Sequence, residues 1–147
     1  MFKHILVPTD GSSLSQDAVT RAASFARDAG ARITLFYAHP ESPTAYDGLG
    51  VISNVHFSQE IRDRLDQAAR EILDDAEQRV REAGVPFQRV MLVGNNPYEL
   101  IIQVAESNGC DLIFMASHGR RGISSLLVGS ETRKVLTHTK IPVLVFR

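Results

Sequence analysis

Five short apolar runs, separated by stretches of helical periodicity, leave this 147-residue chain few ways to fold. They cover residues 4–8, 33–38, 87–93, 112–115 and 141–146. Each is too short for a helix and reads as a strand buried on both faces. Strand and helix alternating from end to end predict an α/β fold, an open parallel sheet with helices on both faces. Right-handed crossovers restrict the topology, and the expected strand order is 3-2-1-4-5. In that order the chain reverses direction between the first and fourth strands. Ligands of open α/β sheets bind outside the strand C-termini at such a switch point. The loops meeting there, 8–13 and 116–130, are also the most motif-like stretches of the sequence. A hydrophobic content of 44% suits one core, so a single domain over 1–147 is expected.

The helices carry their own start and stop signals. Ser13-Leu14-Ser15-Gln16 has the Ser-x-x-Gln form of a capping box. The helix it opens carries Leu14, Ala18, Val19, Ala22, Phe25, Ala26 and Ala29 at helical spacing, with Gly30 as its stop. A longer helix is predicted over 58–83, with Ile61, Leu65, Ala68, Ile72, Ala76 and Val80 as its apolar stripe. Gly84 and Pro86 end it. Asn96, Pro97 and Glu99 place an N-cap, a proline at N1 and an acid at N3 before a helix that Gly109 closes. A last short helix starts at Gly129-Ser130. Residues 39–57 have no clear period, and a connection of that length suggests a lid or a partner-binding segment.

A net charge of −1 with 22% charged residues gives no electrostatic case for nucleic acid or an acidic membrane surface. No apolar run approaches the roughly 18 residues that a membrane span requires. The run after Met1-Phe2-Lys3-His4 is too short for a signal peptide, so a cytoplasmic location is expected. The lone cysteine, Cys110, cannot form an internal disulfide and precedes a buried strand; packing is its expected role.

The stretch 116–130, Ala-Ser-His-Gly-Arg-Arg-Gly-Ile-Ser-Ser-Leu-Leu-Val-Gly-Ser, links the fourth strand to the last helix. Its glycines let backbone approach closely, and unpaired N–H groups with the helix dipole favour an anion. An ordinary strand-to-helix turn with Ser130 as N-cap would read the same way. Neither a Walker Gly-Lys-Ser/Thr nor a Gly-x-Gly-x-x-Gly fingerprint is present. Asp10, at a strand end, suits a ribose hydroxyl or a hydrated Mg²⁺, and equally suits capping of its own turn. Arg120 and Arg121 offer charge to phosphates. His118 has no second His, Cys or acid at metal-ligand spacing, and is expected to anchor the loop rather than to catalyse. His4, His39, His56 and His138 form no cluster. No general base or nucleophile is evident.

Ile5-Leu6-Val7-Pro8-Thr9-Asp10-Gly11-Ser12, Met115-Ala116-Ser117-His118-Gly119-Arg120-Arg121-Gly122, Leu127-Val128-Gly129-Ser130 and Ile141-Pro142-Val143-Leu144-Val145 resemble the universal stress protein family. The likeness covers essentially the whole chain. It implies the five-stranded fold above and a homodimer through the final strand, which starts at Ile141 and ends at Phe146. One branch of that family binds ATP through a Gly-x2-Gly-x9-Gly-Ser/Thr motif; another lacks the motif and does not. Here the second glycine is Gly119 and Gly129-Ser130 follow after nine residues, whereas Ala116 stands at the first glycine. Alanine lets a ribose approach, provided the backbone there needs no positive φ.

Carried over by this resemblance, Asp10 and Ala116 lie near the ribose, and the adenine rests near Ala38. Gly119, Gly129, Ser130 and the N–H of Glu131 hold phosphates. Pro8, Thr9, Ser117, His118, Arg120 and Gly122 complete the implied nucleotide site. ATP would carry Mg²⁺ on its phosphates, with no protein ligand beyond Asp10 acting through water. The Glu131 carboxylate should repel the ligand unless it points away. The implied function is an ATP-binding stress-response regulatory module with nucleotide-dependent contacts, an unidentified protein partner and at most slow hydrolysis. A nucleotide-free dimeric interaction protein is the alternative, toward which Ala116 and Glu131 pull.

Overall fold

The computed structural model describes residues 1–41, 46–47, 50–51, 59–120 and 128–147. In chain order the elements are β1 (His4–Pro8), α1 (Ser13–Ala29), β2 (Arg32–His39), the two-residue strands β3 (Tyr46–Asp47) and β4 (Gly50–Val51), and α2 (Gln59–Glu82). Then come β5 (Phe87–Val93), α3 (Pro97–Ser107), β6 (Leu112–Ala116), α4 (Ser130–His138) and β7 (Val143–Phe146). The main sheet runs β5-β2-β1-β6-β7 with every pair parallel. Counted among themselves, these five strands have the order 3-2-1-4-5, as the sequence predicts. β3 and β4 pair only with each other, antiparallel.

Successive strand residues point to opposite faces, so a strand covered on both sides must be apolar at every position. Ile5, Val7, Ile33, Leu35, Leu112 and Phe114 pack with α1 and α2. The alternate residues Leu6, Phe36, Ile113 and Met115 pack with α3 and α4. Burial of each large aliphatic or aromatic side chain contributes about 1.5–3 kcal/mol. Among the described residues no helix is long and apolar enough to cross a membrane.

Three local expectations shift. The N-cap of α1 is Ser12, not Ser13: its Oγ accepts from the Ser15 N–H at 3.3 Å. Gly11, at φ +77°, turns the chain one residue earlier than a Ser13 cap requires. The stripe of α2 is also rotated. Ala69, Leu73, Ala76 and Val80 are buried, whereas Ile61 and Ala68 are exposed. α2 packs through its later turns, where two alanines let it approach α1. Finally, β7 begins at Val143; Pro142 contributes only its carbonyl, which accepts from the Ile113 N–H. Of the 39–57 segment, His39 closes β2, while 42–45, 48–49 and 52–57 fall outside the described residues, and most of the suggested lid with them.

Candidate functional site

All five parallel strands deliver their C-terminal ends to one edge of the sheet. A cleft of about 510 Å³ opens there, beside the starts of α3 and α4. Phe36, Ala38, Ile101 and Met115 supply apolar wall, and Asp10, Arg120, Ser130 and Thr132 supply polar groups. Of the residues singled out in the sequence, Pro8, Thr9, Asp10, Ala38, Ala116 and His118 line this cleft. So do Gly119, Arg120, Gly129, Ser130 and Glu131. Ser117 does not; it is buried. Arg121 and Gly122 lie outside the described residues.

The Asp10 carboxylate ties the two loops together. One oxygen accepts from the Ser12 N–H at 2.9 Å, fixing the turn after β1, and the other accepts from the Arg120 N–H at 2.9 Å. Burial alone would raise its pKa. The hydrogen bonds from Ser12, Arg120 and Ser15 outweigh that and hold it below the ordinary 3.8, so it is a carboxylate at neutral pH. A Cβ on Gly119 would lie 2.1 Å from Asp10 Oδ2, so this carboxylate needs glycine there. Capping of its own turn is therefore realised at Asp10, together with a latch across to the second loop.

The far end of that second loop returns to its beginning. Gly129 donates to the Ser117 carbonyl at 2.7 Å, and Ser117 donates to Phe146 at 2.7 Å. A Cβ on Gly129 would come within 3.1 Å of the His118 Cα, a backbone contact that cannot swing aside. Gly129 is the N-cap of α4, one residue earlier than the Ser130 cap read from the sequence, and Ser130 is the first residue of the helix. Thr132 anchors the same turn, donating to the Ala116 carbonyl at 3.0 Å. Ala116 ends β6 in extended backbone and needs no positive φ, which meets the condition that alanine imposes. His118 Nδ1 pairs with the hydroxyl of its chain neighbour Ser117 at 3.1 Å.

Glu131 crosses to the neighbouring helix. Its Oε2 accepts from the Tyr98 N–H at 3.0 Å, and its Oε1 accepts from Lys134 Nζ at 2.9 Å. Asn96 does occupy the N-cap position of α3, yet its side chain makes no capping bond. The acceptor comes instead from α4.

Sequence reasoning missed Ser15, Phe36, Tyr37, Pro40, Gly94, Asn95, Pro97, Ile101, Met115 and Thr132 as cleft residues. The signal for Gly94-Asn95 was present: a parallel strand ending at Val93 must open on the same edge as its neighbours. Burial raises the pKa of Tyr37, with Asp10 adding to the shift and Arg120 opposing it, so its hydroxyl stays protonated. Among the described residues no three His, Cys, Asp or Glu side chains gather as a metal site.

Parallel strands in this order, with a cleft at the switch point, define a doubly wound α/β domain. Within that class, the chain belongs to the universal stress protein family, whose family-wide profile matches residues 1–147. It is 30% identical to universal stress protein YxiE of Bacillus subtilis, covering the whole of both chains. It is similar to the solved universal stress protein UspA from Lactobacillus plantarum, with TM-score 0.82, 26% identity and coverage of 99% and 98% of the two chains. Two more distant solved structures share the fold and are complexes with adenine nucleotides. A universal stress protein with cAMP has TM-score 0.73 and 24% identity, covering 99% and 96% of the two chains. One from Archaeoglobus fulgidus with dAMP has TM-score 0.70 and 19% identity, covering 100% and 98%.

Proposed function

We propose that this protein binds an adenine nucleotide, specifically ATP, in the cleft, and acts as a homodimeric cytoplasmic stress-response regulator whose contacts depend on the bound nucleotide. The observation that carries the reading is the first turn of α4. It starts at Gly129-Ser130 and opens on a cleft that also presents an apolar wall. N–H groups at a helix start lack carbonyl partners within the helix and carry the positive end of its dipole, which suits phosphate. The apolar stretch from Phe36 to Ala38 suits a base, and Asp10 and Ala116 lie between, where a ribose would rest. Mg²⁺ would arrive on the phosphates rather than on a protein ligand set, with Asp10 within reach only through water. Adenine nucleotides in the cAMP and dAMP complexes of relatives support the ligand class. Hydrolysis would be slow at most, since the sequence offers no evident general base or nucleophile.

Titration calorimetry tests the reading. ATP should bind clearly more tightly than adenosine, since phosphate contacts supply charge-assisted bonds. Equal affinities would remove the phosphates from α4. A specific observation favours the nucleotide-free interaction protein as second reading, namely the Glu131 carboxylate at the same helix end. Absence of nucleotide in denatured purified protein, with no binding by calorimetry, would favour it.

A further inference from the structure

The carboxylate of Glu131 belongs to the lining of the cleft, one residue past Ser130. Two bonds hold it there, from the Tyr98 N–H at 3.0 Å and from Lys134 Nζ at 2.9 Å. Tyr98 is the second residue of α3, and Glu131 is the second residue of α4. One negative charge therefore serves the positive ends of two helices. Swinging aside would leave the Tyr98 N–H without this acceptor, because α3 has no side-chain cap of its own from Asn96. Lys134 is about half exposed, and its ammonium lies 5.3 Å from the Tyr98 ring centroid. It offsets the carboxylate in part and leaves a fixed acid beside the helix start where phosphates would sit.

We infer that Glu131 is a specificity-determining residue: its anchored carboxylate narrows the margin by which a nucleoside triphosphate outbinds the corresponding monophosphate. This rests on the nucleotide reading above. Base and ribose contribute equally to both ligands, so the ratio of the two affinities isolates the phosphate charge that meets Glu131. Each added phosphate brings more negative charge to a helix end that is already occupied.

The test is calorimetry with AMP and with ATP on the native protein and on Glu131→Gln, at low and at high salt. Glutamine keeps an oxygen for the Tyr98 N–H and removes the charge, together with the oxygen that accepts from Lys134. ATP affinity should rise about two- to fivefold more than AMP affinity. The differential should shrink at high salt, as expected of a charge at a cleft mouth. Glu131→Ala also removes the acceptor, so its melting temperature should fall below that of Glu131→Gln while its gain for ATP over AMP matches. An unchanged ATP/AMP ratio in both variants, with both ligands still bound, overturns the selectivity role and leaves the nucleotide reading standing. A loss of ATP affinity in Glu131→Gln overturns it too, because the carboxylate would then be holding the ligand or its cation. No binding of either nucleotide by any of the proteins refutes the nucleotide reading itself, and the selectivity with it.

Discussion

His4 is 4% exposed at the N-terminal edge of the sheet, with Nε2 2.7 Å from the Thr34 hydroxyl. Gln88 donates to the same hydroxyl at 3.0 Å, so Thr34 has its own proton to give to the histidine. Burial, with a lesser contribution from Arg32, pushes the imidazole pKa below its ordinary 6.5, against the opposing pull of Asp111. The unfolded chain then binds a proton that the folded one refuses. Stability is fully present above about pH 6.5 and declines as pH falls below it. Urea unfolding at pH 7.5 and 5.5 should show this decline in the native protein and a smaller one in His4→Gln. Asp10 and Asp111 act in a separate window. Their pKa values lie below 3.8 in the folded state, so their contributions are lost only as pH falls below that value. Cys110 lies in the same region, and burial pushes its thiol up to about 11. It stays protonated and packs, as its position ahead of a buried strand suggests.

At the scale of elements, helix starts separate what the sequence states from what only contact decides. Ser12→Ala should lower stability by about 0.5–2 kcal/mol, because it removes the acceptor for the Ser15 N–H. Ser13→Ala should change it by only a few tenths, since alanine is at least as good a helix former at that position. Paired thermal melts distinguish the two, and equal losses would return the cap to Ser13. Strand-helix alternation was legible because burial on both faces demands apolar runs, and Gly30 and Gly109 were legible because a left-handed φ favours glycine. The cap was not, since Ser12 and Ser13 are chemically alike and only the turn at Gly11 chooses between them. The stripe of α2 was misplaced for a similar reason. Ala68 and Ala69 are indistinguishable in a pattern, and the packing angle against α1 selects Ala69. In the site, the residues of the two loops were legible as motifs. Glu131 capping a different helix was not, because the bond joins residues that only the fold brings together.

For the whole molecule, the outer edge of β7 is where the proposed homodimer can be tested. Pro142 and Phe146 turn their carbonyls to β6, where the Ile113 and Ser117 N–H groups donate to them. Alternation along the strand places Leu144 on the same side and leaves the N–H groups of Val143 and Val145 on the outer edge. A homodimer built through this strand would pair those outer groups, since β7 ends the strand order among the described residues. Val145→Pro should then turn a dimer into a monomer in sedimentation velocity while the fold remains, whereas Leu144→Pro should damage the sheet itself. A native protein that sediments as a monomer at micromolar concentration would refute the dimer. The central place of β1 has a consequence for synthesis. Its neighbour β2 follows within a few dozen residues, but Ile5 also pairs with Leu112. A nascent chain on the ribosome therefore carries its first strand with one side bare until most of the message has been translated. Until β6 emerges, that side of β1 offers apolar residues and unpaired backbone groups, and this interval is when a holding chaperone would matter most.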